Sequence, residues 1–148
     1  MRTSMIVAIA AVALVAAADV PAGWSPELFN SASTLQFYTV NSSGQRHWST
    51  VWVVVIDGQP YLRLGSQAAS RINGNTDAPY VEIRVGGNEF DRVIAQAAPE
   101  MKDKVQAAMA DKYWLDIIVR YMDHPLTIRL VPATSASPAP GTPSRSAP

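Results

Sequence analysis

The sequence predicts a small antiparallel β-barrel domain of the mainly β (α+β) class. Residues 51–56 form an uninterrupted apolar run rich in β-branched side chains, which is typical of a strand covered on both faces at the centre of a sheet or barrel. Two turn dipeptides, Asp57-Gly58 and Gly86-Gly87, each join two strand-like segments and therefore predict hairpins. Helical periodicity is confined to two stretches, so the predicted order is β-β-β-α-β-β-α-β.

Six short segments have the composition or the alternation of strands. In the first, Leu35 and Phe37 share one face, and in the fourth Val81, Ile83 and Val85 do the same. Short strands joined by tight turns favour a six-stranded barrel over a parallel α/β sheet. The predicted strands are residues 33–40, 46–56, 60–65, 80–85, 88–97 and 126–130.

Two helical insertions are predicted between the strands. The first covers residues 66–75 and is ended by Gly74. The second covers residues 99–113, where apolar side chains recur at helical spacing. Residues 114–121 either extend this helix or form a second turn. A short helical turn with a serine cap is also predicted at residues 25–29.

The amino-terminal residues 1–18 have the layout of a signal peptide. Arg2 precedes the apolar run 6–18, which ends in three alanines, so cleavage is expected after Ala18. The apolar run is shorter than the roughly 20 residues needed to span a bilayer. A periplasmic or secreted protein is therefore predicted, the alternatives being an uncleaved anchor or a misassigned start codon ahead of a cytosolic protein.

The overall amino-acid composition excludes several classes of function. Twelve basic and twelve acidic residues cancel, so the sequence lacks the basic excess of a nucleic-acid or polybasic membrane binder. The absence of cysteine excludes disulfides, thiolate catalysis and cysteine metal sites. Residues 133–148 contain only Ala, Ser, Thr, Pro and Gly apart from Arg145, which predicts a disordered tail and leaves residues 24–132 as the folded domain.

Several short motifs follow one another in a characteristic order between residues 35 and 132. They are Thr39, Gly44, the segment 46–55 with its Trp-Val-Val-Val, Asp57-Gly58, Tyr61-Leu62-Arg63 and Lys112-Tyr113. In this order the sequence resembles the FMN-binding split-barrel superfamily, which includes pyridoxamine 5'-phosphate oxidase-like proteins and deazaflavin-dependent nitroreductases. Within it, the chain is most similar to a group of small uncharacterised proteins.

The resemblance implies a split β-barrel that forms a homodimer and binds FMN or a deazaflavin in a groove against the barrel. It also implies a phosphate site made of basic and hydroxyl side chains on the second and third strands and the following helix, with a tryptophan that stacks on the cofactor. The residues at these positions are Arg46, Trp48, Ser49, Thr50, Ser66, Ser70 and Arg71. Each has an ordinary alternative, because arginines are common at strand and helix ends and hydroxyls at turns and caps.

Two functional hypotheses follow. The first is an exported flavin-type cofactor-binding protein, with an oxidoreductase activity in which the cofactor does the redox chemistry. The alternative is a non-enzymatic periplasmic protein that keeps the fold without a cofactor and binds a small apolar ligand or a protein partner. Arg46 with its hydroxyl neighbours favours the first hypothesis, whereas the export signal and the residues around Arg71 favour the second.

The remaining candidate groups have weaker signals. His47 and His124 are the two histidines and are candidates for acid–base chemistry or haem ligation, but neither has a second ligand at metal-binding spacing, so no metal site is predicted. Arg63, Arg84 and Arg129 occupy the polar parity of their strands. They are expected to face outward and to protect strand edges.

Overall fold

The computed structural model describes residues 20–113 and 124–133. The predictions made for residues 1–18, 114–121 and 134–148 lie outside the described residues. The helices are α1 (Pro26–Ser31), α2 (Ser66–Asn73) and α3 (Lys102–Lys112), the last preceded by a 3₁₀ turn at Pro99–Met101. The strands are β1 (Leu35–Val40), β2 (Arg46–Val51), β3 (Val53–Ile56), β4 (Gln59–Leu64), β5 (Tyr80–Val85), β6 (Asn88–Ala97) and β7 (Leu126–Pro132).

All the described strands belong to one antiparallel sheet with the order β2-β1-β5-β6-β7-β4-β3. Strands β2 and β3 are consecutive in the chain, yet they lie at opposite ends of this order. The sheet must therefore curl until its two outer strands approach each other. This half-closed barrel confirms the predicted fold class.

The strand expected at residues 46–56 is in fact two strands, so the sheet has seven strands rather than six. Val51 is the last residue of β2 that pairs with β1, and Val53 is the first residue of β3 that pairs with β4. Trp52 lies between them outside both ladders. The break occurs because the chain passes here from one edge of the curled sheet to the other, and for the same reason residues 51–56 lie at an edge and not at the centre.

Burial on both faces, which the apolar run predicted, is nevertheless confirmed. Val53 points into the main core inside the curled sheet, where it is 0% exposed. Val54 is 2% exposed on the opposite face, where it packs in a second cluster with Val105 and Met109 of α3. Helix α3 thus covers an edge strand that would otherwise expose apolar side chains worth about 1.5–3 kcal/mol each when buried.

Local signals specify both predicted hairpins and the first helix. Asp57 and Gly58 have φ angles of 50° and 76°, and Gly86 and Gly87 have φ angles of 55° and 78°, as the tight turns of twisted hairpins require. At the start of α1, the Ser25 side chain accepts a 3.2 Å hydrogen bond from a backbone amide in the first turn. These predictions are confirmed.

The two described ranges contain no helix with the length and apolar character that a membrane crossing requires.

Candidate functional site

A cavity of about 560 Å³ lies where the β2–β3 bend meets the start of α2 and the side of α3. We call it the cleft. Its size falls within the range of small-molecule sites, roughly 300–1,000 Å³. The described lining residues are Thr34, Thr50, Val51, Trp52, Arg63, Gly65, Ser66, Gln67, Ala68, Met109 and His124.

The amino end of α2 forms one wall of the cleft. Gly65 caps this helix without a side-chain hydrogen bond, and the first helical hydrogen bond runs from the Ala69 amide to the Gly65 carbonyl at 2.9 Å. The backbone amides of residues 66–68 precede that bond and have no carbonyl partner within the helix. Such a helix start, with its partial positive charge, favours an anion.

Side chains at this helix start add donors. The hydroxyl of Ser66 and the side-chain amide of Gln67 both line the cleft, and both side chains are exposed. Arg63, at the end of β4, contributes a guanidinium to the same lining. A guanidinium, a hydroxyl and helix-start amides are the donor types that a phosphate or carboxylate needs.

Arg63 was expected to face solvent, and the structure corrects that expectation. Its parity on β4 is that of Tyr61, which points toward α3 and packs against Val105 and Met109. The outer face of β4 is therefore covered by α3 near its middle, and Arg63 is half-buried at the margin of that contact. The alternation of residues along β4 correctly assigned Arg63 to the outer face of the strand. That face becomes a wall of the cleft only because α3 packs against it. The one local signal was that the Tyr-Leu-Arg motif runs directly into a helix start.

The residues predicted for the cofactor site separate into two groups. Thr50 and Ser66 both line the cleft. The described cleft lining does not include the other five, which are Arg46, Trp48, Ser49, Ser70 and Arg71.

Arg71 and Ser49 contact each other on the inner side of the sheet. The Arg71 Nη1 donates to the Ser49 hydroxyl at 2.9 Å and to the Trp48 carbonyl at 3.4 Å. Ser49 is buried, at 6% exposure. This contact ties α2 to β2 and so helps to hold the helix start against the cleft.

Trp48 and Arg46 lie on the outer face of β2. The Trp48 ring packs on Tyr38 with centroids 4.9 Å apart, and the Arg84 guanidinium lies 4.1 Å from its centroid. Arg46 is exposed at the far end of β2, four residues from Thr50, a separation of roughly 13 Å along an extended strand. Ser70 is exposed on α2.

Trp52 forms the aromatic wall of the cleft and also packs against the second apolar cluster. It stacks on Tyr113, with ring centroids 4.4 Å apart and planes 5° from parallel. Trp52 and Thr34 also line a second cavity of about 330 Å³, which adjoins Lys112 and Tyr113. The Trp52–Tyr113 pair therefore stands between two neighbouring cavities.

The Lys112-Tyr113 motif closes α3 onto β3 and the end of α1. The Lys112 ammonium donates to the carbonyls of Phe29 at 3.2 Å, Ala32 at 2.9 Å and Val53 at 2.7 Å. The Tyr113 hydroxyl donates to the Ser33 carbonyl at 2.7 Å and accepts from the Val53 amide at 3.2 Å. Burial lowers the pKa of Lys112 and raises that of Tyr113.

The described lining of the cleft contains few charged groups. Arg63 is the permanently charged group among the described lining residues, and none of those residues is a carboxylate. Over the same described residues, no group of three or more His, Asp or Glu side chains is arranged to hold a metal ion. The donors present fit an anionic group.

Solved structures with the same fold include three that cover most of this chain. HutZ, the haem storage protein from Vibrio cholerae, is 17% identical over 73% of this chain and 87% of its own, with a TM-score of 0.56. An F420-H2-dependent reductase, FDR-A, is 13% identical over 67% and 93%, with a TM-score of 0.52. A conserved hypothetical protein from Mycobacterium tuberculosis is 22% identical over 72% and 77%, with a TM-score of 0.53.

These similarities define the class of protein by fold. The chain has the split-barrel fold that the resemblance of its motifs implied, and that prediction of the fold is confirmed. No protein-family model and no curated protein sequence matches the chain.

Proposed function

We propose that this protein binds a phosphate-bearing flavin-type cofactor, FMN or a deazaflavin, in the cleft and serves as an oxidoreductase. The observation that carries the proposal is the convergence of Arg63, the Ser66 hydroxyl and the uncapped start of α2 in one cavity walled by Trp52. The bound cofactor would supply the redox chemistry, while the protein binds and orients it.

The phosphate group would lie at the helix start. Arg63 offers a bidentate guanidinium, and Ser66 and the amides of residues 66–68 complete a cage of donors. Thr50 contributes a further hydroxyl from the β2 side. This arrangement keeps two of the residues that the resemblance implied and replaces the expected arginines with Arg63.

The planar ring system would lie along Trp52. One side of the indole is covered by Tyr113, so the tryptophan is held in place and offers a rigid apolar surface to the cleft. Rigid aromatic walls of this kind bind flat ligands at little cost in side-chain entropy. The similar structures include a deazaflavin-dependent reductase and a haem storage protein, which supports a planar cofactor without deciding its identity.

The alternative function is a ligand-binding protein with no cofactor. Arg71 favours it, because this arginine bonds to Ser49 and to the Trp48 carbonyl and does not line the cleft. One of the two cations implied by the resemblance is therefore engaged in holding α2 to the sheet.

The test is an absorbance titration between 300 and 500 nm of the purified protein with FMN and, separately, with a deazaflavin. We expect saturable binding of one of them by the unsubstituted protein. Arg63→Gln should weaken that binding about 10- to 100-fold, because a charged hydrogen bond contributes about 1.5–3 kcal/mol.

Arg46→Gln is the matched control, since Arg46 is exposed and does not belong to the described lining of the cleft. It should bind the cofactor as the unsubstituted protein does. If Arg46→Gln weakens binding and Arg63→Gln does not, the cofactor site lies where the sequence first placed it. Failure of the unsubstituted protein to take up either cofactor would favour the cofactor-free alternative.

A further inference from the structure

We infer that the backbone of Thr50, at the free edge of β2, recognises the imide of the cofactor, which is the group in which a ring N–H lies between two carbonyls. FMN and the deazaflavins both carry this group, and haem does not. The inference rests on the proposed function, because it concerns the same cleft. It deepens that function by naming the part of the ligand that the cleft selects.

The cleft lies along an edge of the sheet. Strand β2 is outermost in the sheet order, so its edge away from β1 has no neighbouring strand among the described residues. The curl of the sheet brings β4 and the start of α2 to this edge, and residues of both line the cleft together with Thr50. The other outermost strand, β3, has its edge covered, because the Val53 carbonyl accepts from Lys112 and the Val53 amide donates to Tyr113.

The hydrogen-bonding alternation along β2 directs the Thr50 backbone to the free edge. The Asn41 amide donates to the Gln45 carbonyl at 3.0 Å, in continuation of the β1–β2 register. Bonded positions in an antiparallel ladder recur at every second residue, so Thr50, an odd number of residues from Gln45, directs its N–H and C=O away from β1. The Trp48 carbonyl has the same parity as Thr50, and it does accept from outside the ladder, from Arg71 at 3.4 Å.

An imide matches the groups that Thr50 presents at this edge. In a bonded antiparallel pair a residue donates its N–H and accepts at its C=O, and both groups point toward the same partner. The adjacent carbonyl and N–H of an imide would accept one of these bonds and supply the other. Trp52, which follows β2 directly, lines the same cleft and offers its indole to the face of the same planar ring system.

The Thr50 side chain points elsewhere. Thr50 shares the outer face of β2 with Trp48, and its hydroxyl accepts from the Gln36 Nε2 at 3.4 Å. The backbone N–H and C=O instead point along the sheet, as in any strand. The hydroxyl and the backbone of this residue can therefore be tested separately.

The first experiment changes the ligand and keeps the unsubstituted protein. FMN, or the deazaflavin if that is the cofactor bound, is compared with its N3-methyl form by absorbance titration, because the methyl group replaces the imide hydrogen and leaves the phosphate unchanged. We expect the N3-methyl form to bind about tenfold more weakly or worse, since the Thr50 carbonyl loses its donor. Equal affinities would overturn the inference and leave cofactor binding, and with it the proposed function, standing.

The second experiment removes the backbone N–H with Thr50→Pro. Proline is tolerated on an edge strand where the N–H faces away from the ladder, as it does at this position. We expect the cofactor to bind about three- to tenfold more weakly. Arg46→Pro removes an N–H of the same parity at the exposed far end of β2, and it should bind the cofactor as the unsubstituted protein does.

Thr50→Ala keeps the N–H and removes the hydroxyl, so it separates the two parts of this residue. We expect it to bind the cofactor more tightly than Thr50→Pro. If Thr50→Ala weakens binding as much as Thr50→Pro does, the hydroxyl accounts for the effect and the inference fails.

A different probe tests the inference if the cofactor is wrong. Uridine 5'-monophosphate carries an imide and a phosphate but no isoalloxazine, and its binding is followed by the NMR resonance of the Thr50 amide. If neither FMN nor a deazaflavin binds, but the nucleotide shifts this resonance and its 3-methyl form does not, the inference stands and the cofactor assignment fails. If neither nucleotide shifts the resonance, the inference fails as well.

Discussion

Lys112 shows how a single side chain joins three parts of the fold. Its ammonium bonds to carbonyls from α1, from the residue after α1 and from β3, and the residue itself ends α3. The Val53 carbonyl also accepts from the Tyr113 hydroxyl at 2.9 Å. A partly buried carbonyl that loses its donor and has no other costs about 1–3 kcal/mol. Lys112 therefore holds α3 against the sheet and positions the Met109 wall of the cleft.

Lys112 and Tyr113 make the free energy of unfolding depend on pH in the alkaline range, and their two effects have opposite signs. Burial lowers the pKa of Lys112 below its ordinary 10.5, so up to that pH the unfolded chain binds more protons and the free energy of unfolding rises with pH. Burial also raises the pKa of Tyr113 above its ordinary 10.0, an effect that the hydrogen bond from the Val53 backbone partly opposes. Above pH 10.0 the folded chain holds the phenolic proton more tightly, and the free energy of unfolding falls as pH rises through the folded pKa.

We expect urea denaturation of the unsubstituted protein to show this rise and then this fall across the alkaline range. Lys112→Met should lack the rise, and its free energy of unfolding at neutral pH should be lower by about 3 kcal/mol. Tyr113→Phe should lack the fall. Lys104→Met, an exposed substitution on the same helix, should keep both. A Tyr113→Phe profile that still falls like the unsubstituted one would contradict the assignment of that limb to Tyr113.

At the scale of the elements, the β5–β6 turn is fitted closely against α1. A Cβ built on Gly86 would lie 2.7 Å from the Leu28 Cδ1, whereas one built on Gly87 would have nothing within 4 Å. Both glycines have positive φ angles, so the conformational requirement is shared and the contact with Leu28 is what distinguishes them.

Gly87→Ala should therefore cost about 1–2 kcal/mol from the left-handed conformation alone. Gly86→Ala should cost more, because the Leu28 side chain must also move. The difference between the two should disappear in a Leu28→Ala background. Urea denaturation of the unsubstituted protein, Gly86→Ala, Leu28→Ala and the Gly86→Ala/Leu28→Ala variant forms a double-mutant cycle, and the same cycle with Gly87→Ala is its control. Equal losses for the two glycines in the unsubstituted background would show that α1 adapts without cost.

At the scale of the whole molecule, the described part of the cleft is partly open to solvent. The resemblance places the cofactor groove of split-barrel proteins at a dimer interface, so a second copy of the chain would cover this opening. We propose a homodimer on these grounds.

Light scattering coupled to gel filtration should give a mass twice that of the chain for the purified, cofactor-free protein. The Arg63→Gln variant should give the same mass, because that residue is proposed to bind the ligand and not the partner. A single-chain mass at every concentration tested, with and without cofactor, would contradict the dimer.

The sequence indicated some of the residues that line the cleft and missed others, and the difference has a physical reason. Ser66 and Thr50 were candidates because the resemblance implied them, and both line the cleft. Arg71 bonds to Ser49 and Arg63 lines the cleft, an arrangement that local patterns do not indicate because the side of a helix that meets the sheet depends on distant strands. For Arg71 that distant partner is Ser49, 22 residues away.

The sequence by itself determined the elements that local forces specify. The hairpin dipeptides, the Ser25 cap and the alternating strands each depend on contacts within a few residues, and the order of the elements follows from them. Only the tertiary structure decided that residues 46–56 break at Trp52, because the break serves the closure of the sheet between β2 and β3. It also decided that Arg63 and His124 share a cleft, since the pairing of β4 with β7 joins segments about 60 residues apart that no local signal relates.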